Sequence, residues 1–151
     1  MADFLKDTKI LKREGDEYKE ISPGEHFKGK VTALYFSAHW CPPCRQFTPV
    51  LKDFYEALMD EGEPLEIVFV SFDRSEADLK SYVAEAHGNW CVIPFGDPAI
   101  KSLAEKYGVQ GIPALVVIKP DGLVAVENGR GDVSGSAPPQ TFKKWKSACG
   151  L

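Results

Sequence analysis

The sequence predicts an α/β chain in which a central mixed β-sheet carries helices on both faces. Three observations predict it. Two apolar runs, residues 31–37 (Val-Thr-Ala-Leu-Tyr-Phe-Ser) and 65–72 (Leu-Glu-Ile-Val-Phe-Val-Ser-Phe), read as strands buried on both faces. Between them, Phe47, Val50, Leu51, Phe54, Tyr55 and Leu58 recur with the period of an amphipathic helix, which makes a parallel crossover. Further on, the runs 114–119 and 123–126 are separated only by the tight-turn tripeptide Pro120-Asp121-Gly122, so that pair is antiparallel.

The remaining elements follow in order. Phe4 and Leu5 suggest a short N-terminal turn of helix. Residues 8–12 and 17–21 flank Glu14-Gly15-Asp16 and read as a hairpin. Ser22-Pro23-Gly24 breaks the pattern before the first buried strand. The helix that follows runs to about Asp60, where Glu61-Gly62-Glu63-Pro64 ends it, and Pro49 within it removes one backbone hydrogen bond. Ser75 is the expected N-cap of a helix over about 76–85. Residues 87–95 read as a loop with exposed-looking aromatics. A helix over about 98–107 stops at Gly108. Residues 128–139, rich in Gly, Ser and Pro, read as loop, and a last helix covers about 139–148. The whole chain, 1–151, is expected to be one domain, with a hairpin extension (1–30) on a core (31–148).

Composition narrows the function classes. Apolar content of 44% and charged content of 26% are ordinary for a globular chain. A net charge of −4 with no basic run argues against nucleic acid as partner, and no apolar run reaches membrane-spanning length. The opening Met-Ala-Asp-Phe-Leu-Lys-Asp has no apolar signal region, which predicts a reducing cytosolic location with the nucleus accessible. In such a compartment a Cys-x-x-Cys pair is more often catalytic than structural. A monomer is expected.

The chemistry concentrates in Trp40-Cys41-Pro42-Pro43-Cys44, where the first strand passes into its helix. Cys41 at the helix N-terminus meets unpaired backbone N–H groups that stabilise a thiolate, the form that attacks a disulfide. Cys44, one turn further in, is placed to resolve the mixed disulfide. Pro42 and Pro43 are tolerated in a first turn and remove two N–H donors near the Cys41 sulfur. A zinc site would need two more ligands, and His26, His39 and His87 show no ligand spacing. A structural disulfide closing so short a loop would stabilise little. Trp40 reads as a flat platform beside Cys41, while Trp90 and Phe95 either extend that surface or pack in the core. Arg45 either pairs with anionic substrates or is solvated, and His39 reads as an exposed loop residue. Cys91 reads as a small buried hydrophobe and Cys149 as an exposed terminal residue.

These stretches resemble the thioredoxin superfamily through Trp40–Cys44, Pro49 and Ile112-Pro113. They resemble its tryparedoxin and nucleoredoxin branch through residues 35–45, 70–75 and 108–114. The resemblance implies a thioredoxin fold, with Cys41 as nucleophile, Cys44 as resolving thiol and Pro113 in the cis state. Ile112 and Pro113, with Trp40, Pro42 and Pro43, would form the substrate-binding surface. Asp73 and Arg130 fall where that branch has polar residues implicated in contact with a thiol cofactor. Ordinary thioredoxins carry a buried Asp five residues before the motif Trp; here that position is Tyr35, so proton movement must use water or another group. The implied activity is thiol–disulfide exchange that reduces protein disulfides. No bound cofactor is expected beyond the redox-active cysteine pair, with an external thiol or flavoenzyme reductase as electron donor. The expected substrates are disulfide-containing proteins, peroxidases among them. The alternative is a redox-sensitive regulatory protein whose dithiol state gates association with a partner.

Overall fold

The computed structural model describes residues 5–151, so Phe4 lies outside the described residues. Leu5 is buried, and its carbonyl accepts from the Thr8 amide at 2.9 Å. The hairpin is formed by β1 (Leu11–Glu14) and β2 (Glu17–Glu20). Its first arm starts at Leu11 rather than at Thr8. The reason is turn geometry: Gly15, at φ +64°, closes a two-residue turn that sets Glu14 opposite Glu17. Then come α1 (Pro23–His26), β3 (Val31–Ser37), α2 (Pro42–Asp60), β4 (Leu65–Ser71) and α3 (Glu76–Ala86). The chain ends with β5 (Cys91–Val92), α4 (Pro98–Lys106), β6 (Ala114–Ile118), β7 (Val124–Val126), α5 (Gly129–Gly135) and α6 (Pro138–Ala148).

The strands form one mixed sheet in the order β2-β1-β5-β4-β3-β6-β7. The β3, β4 and β5 strands run parallel, while β1 and β6 pair antiparallel with their neighbours in that group. Every residue of β3 and β4 is buried. Because side chains alternate across a strand, β3 feeds two cores. Val31, Ala33 and Tyr35 pack with α2, α3 and α6, whereas Leu34 and Phe36 pack with Phe27, Ile10 and Leu103 on the opposite face. The Ser75 hydroxyl accepts from the Asp78 amide, capping α3 as its sequence predicts. The far end of α3 is held by Arg13 of β1, which donates to the Val83 and His87 carbonyls at 2.7 and 2.8 Å.

Three expectations are corrected. Residues 128–139 are not all loop, because α5 lies within them. Its glycines are poor helix formers, but the Asn128 side chain caps it through the Gly131 amide and Val133 buries against the core. Residues 87–95 contain β5, too short to show a period, and Trp90 is 2% exposed, its indole donating to His87 Nδ1 at 3.0 Å. Cys149 is buried, with its thiol 3.7 Å from the Ile118 carbonyl, because the last turn of α6 docks on β6.

Glu66 of β4 is a buried carboxylate held by three side chains. Lys12 and His26 contact Oε2 at 2.9 and 2.7 Å, and the Tyr55 hydroxyl donates to Oε1 at 3.0 Å. Burial alone would raise its pKa, but the bonds from His26 and Lys12 outweigh burial and hold it below the ordinary carboxylate value. Removing one partner leaves the others buried and uncompensated, so Glu66→Ala is expected to cost about 3 kcal/mol in urea unfolding at neutral pH. A group with a depressed folded pKa stabilises above its unfolded pKa and ceases to do so as pH falls through the folded one. The gap between wild type and variant should therefore close on acidification.

Candidate active site

Cys41 is the N-cap of α2, at φ −95° and ψ 111°, with Pro42 and Pro43 opening the helix. Its backbone is still extended, and in the turn beside its sulfur Pro42 and Pro43 carry no N–H while the Arg45 amide bonds the Cys41 carbonyl at 3.1 Å. The Cys41 side chain is 5% exposed and Cys44 is fully buried beneath it. Both are free thiols. Burial, and hydrogen bonding to the Cys41 sulfur, push the Cys44 thiol up to about 11, against the lowering influence of the Ser37 hydroxyl and the Ala38 backbone. Across the sulfur lies the loop before β6, where Ile112–Pro113 is a cis peptide bond. The Ile112 carbonyl is 3.8 Å from Cys41 Sγ. The structure thus brings Cys41 and Cys44 together with Ile112-Pro113 from two distant parts of the chain.

Trp40 is 46% exposed and fixed at one edge, its indole N–H donating to the Phe72 carbonyl at 2.9 Å. The Arg74 guanidinium lies 5.1 Å from its ring centroid. A groove of about 460 Å³ opens beside Phe72, Asp73, Phe95 and Ile100. Phe95 is exposed there, while Trp90 belongs to the core. Pro42, Pro43 and Arg45 are exposed on the helix side.

Asp73 is buried, and both its carboxylate oxygens are engaged. Oδ1 accepts from the His39 amide and Oδ2 from the Ser71 hydroxyl, each at 2.7 Å. It therefore ties the end of β4 to the loop that carries Trp40 and Cys41. Arg130 stands exposed on α5 with its guanidinium 5.8 Å from the Phe47 ring, three residues beyond Cys44. His39 is less free than its loop position suggests: its ring stacks on Tyr82 at 5.2 Å and its Nε2 is 3.2 Å from Glu85.

Sequence reasoning missed Arg74, and it missed a buried set of hydroxyls beneath Cys44 formed by Ser37, Tyr82, Thr48 and Tyr35. A polar residue following the strand was the only trace of the first, and nothing local marks the second. Spacing also hid a group in which His26 Nε2, a Glu66 oxygen and Cys91 Sγ lie within 4.8 Å of one another. The Lys12 ammonium on that same carboxylate already supplies the positive charge a cation would bring.

The Thioredoxin-like family model matches residues 29–124, which contain both the cysteine pair and the cis-proline loop. The chain belongs to the thioredoxin superfamily. Among its members, mouse nucleoredoxin is 42% identical over 125 residues, covering 82% of this chain and 27% of that protein. The chain thus spans about a quarter of the length of the nucleoredoxins it matches. Thioredoxin from Wuchereria bancrofti is 53% identical at a TM-score of 0.81, covering 97% of this chain and 99% of that one. Tryparedoxin II from C. fasciculata, solved complexed with glutathionylspermidine, is 34% identical at a TM-score of 0.76 over 91% of this chain and 90% of its own. These relatives put the protein in the nucleoredoxin- and tryparedoxin-like branch of a thiol oxidoreductase family. Among the described residues no helix is long and apolar enough to cross a membrane.

Proposed function

We propose that the protein is a disulfide reductase working by dithiol exchange through Cys41 and Cys44. The observation that carries this reading is a thiol at a helix N-cap, facing the Ile112 carbonyl, with a second thiol buried directly behind it. The Cys41 thiolate attacks a substrate disulfide, forms a mixed disulfide and releases one substrate thiolate, which takes up a proton. Cys44 then attacks the Cys41 sulfur and releases the second thiol, leaving a Cys41–Cys44 disulfide for the electron donor to reduce. Ile112 offers main-chain pairing to an extended substrate segment, with Trp40 as an apolar platform and Pro42 and Pro43 as a flank without N–H donors. Arg130 is proposed as a contact for a small-thiol donor. Asp73 acts on that donor chiefly through the loop it holds.

A small thiol or a flavoenzyme reductase is the proposed donor, and the tryparedoxin complex with glutathionylspermidine supports the former. Disulfide-containing proteins, peroxidases among them, are the proposed substrates, met by a monomer in the cytosol and, by diffusion, in the nucleus. The test is reduction of insulin disulfides under a fixed small-thiol supply. Wild type should accelerate it, and Cys41→Ser should fall to the uncatalysed rate. Equal rates for the two would overturn the reading. A wild type that oxidises reversibly without turnover would favour a redox-gated binding protein.

A further inference from the structure

Cys44 must lose its proton to act, yet it is sealed from solvent. Burial and then hydrogen bonding to the Cys41 sulfur raise its thiol, and hydrogen bonding by the Ser37 hydroxyl, at the end of β3, lowers it. Ser37 Oγ is 2.7 Å from the Tyr82 hydroxyl, which bonds Thr48 Oγ1, and Tyr35 bonds the same Thr48 oxygen at 2.6 Å. All four are buried.

Counting hydrogens fixes the direction of the array. Thr48 donates its one hydrogen to the Cys44 carbonyl at 2.8 Å, so Tyr82 and Tyr35 must both donate to Thr48. The hydrogen of Tyr82 is then spent, and Ser37 donates to Tyr82. Ser37 keeps its lone pairs for the Cys44 S–H. In the free dithiol that S–H is shared with the Cys41 sulfur. Once Cys41 is tied up in a mixed disulfide its sulfur is uncharged and a poor acceptor, which leaves Ser37. If the hydroxyls of Thr48, Tyr82 and Ser37 each turn once, the order reverses: Thr48 donates to Tyr82, Tyr82 to Ser37 and Ser37 to the sulfur, while Tyr35 goes on donating to Thr48. Each oxygen remains bonded, and only the bond to the Cys44 carbonyl is given up.

We propose that Ser37, Tyr82, Thr48 and Tyr35 form a reversible hydroxyl array that accepts from the Cys44 thiol at rest and donates to its thiolate during resolution. The array rests on the proposed role of Cys44 as resolving thiol, and its members are positioning residues. In the step it assists, the Cys41–substrate S–S bond breaks and the Cys41–Cys44 bond forms. The Cys44 proton goes to the departing substrate thiolate, so no further oxidant or reductant is needed. The neighbouring groups do not replace it. His39 stacks on the outer side of Tyr82 and pairs with Glu85, and Asp73 is bound to the His39 amide and Ser71. His87, 4.5 Å from the Tyr82 ring, is kept neutral by burial and then by Arg13 and His39. From the opposite side come Ala38, Phe72 and Ile112, none of which titrates.

The test loads Cys41 with thionitrobenzoate and follows its release by Cys44 across pH. In Ser37→Ala the midpoint of release should move up by about one pH unit and the rate at neutral pH should fall about tenfold, the size of one charge-assisted hydrogen bond. Tyr82→Phe, which keeps the ring, should shift the midpoint the same way by less, and Ser37→Thr should restore it. Release profiles of Ser37→Ala and Tyr82→Phe that superimpose on wild type would overturn the array. A wild type that never releases the aromatic thiol would instead overturn the role of Cys44 on which the array rests.

Discussion

Cys44→Ser is expected to hold its substrate covalently. Attack by Cys41 needs only its own sulfur at the mouth of the site, so the first step proceeds in the variant. The second does not, because a serine hydroxyl does not displace a thiolate from a disulfide at neutral pH. Turnover should drop to the level set by the small thiol alone, while a Cys41–substrate adduct builds up to near one per chain. Intact-mass measurement after incubation with insulin would show the adduct, and dithiothreitol should remove it. The variant keeps three thiols, and of these Cys91 is fully buried and Cys149 is packed into the core, so the adduct is expected on Cys41. An adduct that never forms, or one found on another cysteine, would contradict the assigned order of attack.

Trp145→Ala should produce the largest loss of stability. Trp145 is fully buried on α6, with its ring 5.2 Å from that of Phe54 on α2 and its indole donating to Asp132 at 3.0 Å. Truncation leaves a cavity between the two helices and removes one partner of Asp132, whose carboxyl burial alone would raise but which Trp145 and Lys144 together hold below its usual value. Large-to-small changes of this kind cost about 3–5 kcal/mol. That is a large share of the roughly 5–15 kcal/mol that stabilises a domain. Urea unfolding should show a lowered midpoint with an unchanged slope. Trp145→Phe, which keeps an aromatic ring, should cost much less. A midpoint within error of wild type for Trp145→Ala would mean that α6 is not needed to close this core.

The parts of the molecule legible in the sequence are those whose signals are local. Residues 31–37 announce a buried strand by continuous apolarity, the Phe47-to-Leu58 spacing announces α2, and the cysteines fall at the junction between them. Residues 129–135 fail the same test because Gly129, Gly131 and Gly135 carry no helical signal. What makes α5 a helix is the Asn128 cap and the burial of Val133, and the second depends on the finished core. The burial of Trp90 is likewise set by β5, a strand of two residues whose partners are far away in sequence. Asp73 shows the limit within the site: its identity was readable, but only the fold reveals that its two oxygens are spent on Ser71 and His39. The hydroxyls beneath Cys44 come from β3, α2 and α3, and no pattern along the chain connects them.

The hairpin also changes how the sheet meets other molecules. Without β1 and β2, the parallel sheet would end at β5, a bare apolar margin open to strand addition from a second chain. With them, the margin is β2, Glu17-Tyr18-Lys19-Glu20, three of whose four side chains are charged. Tyr18 is half-buried, and the Lys80 ammonium of α3 lies 5.9 Å from its ring centroid. The opposite margin, β7, is three residues long and offers an incoming strand little to pair with. Both ends of the sheet thus discourage the intermolecular pairing that seeds aggregation, and the main-chain recognition proposed for this protein is left to the loop beside the thiols, where the proposed exchange of electrons would follow it.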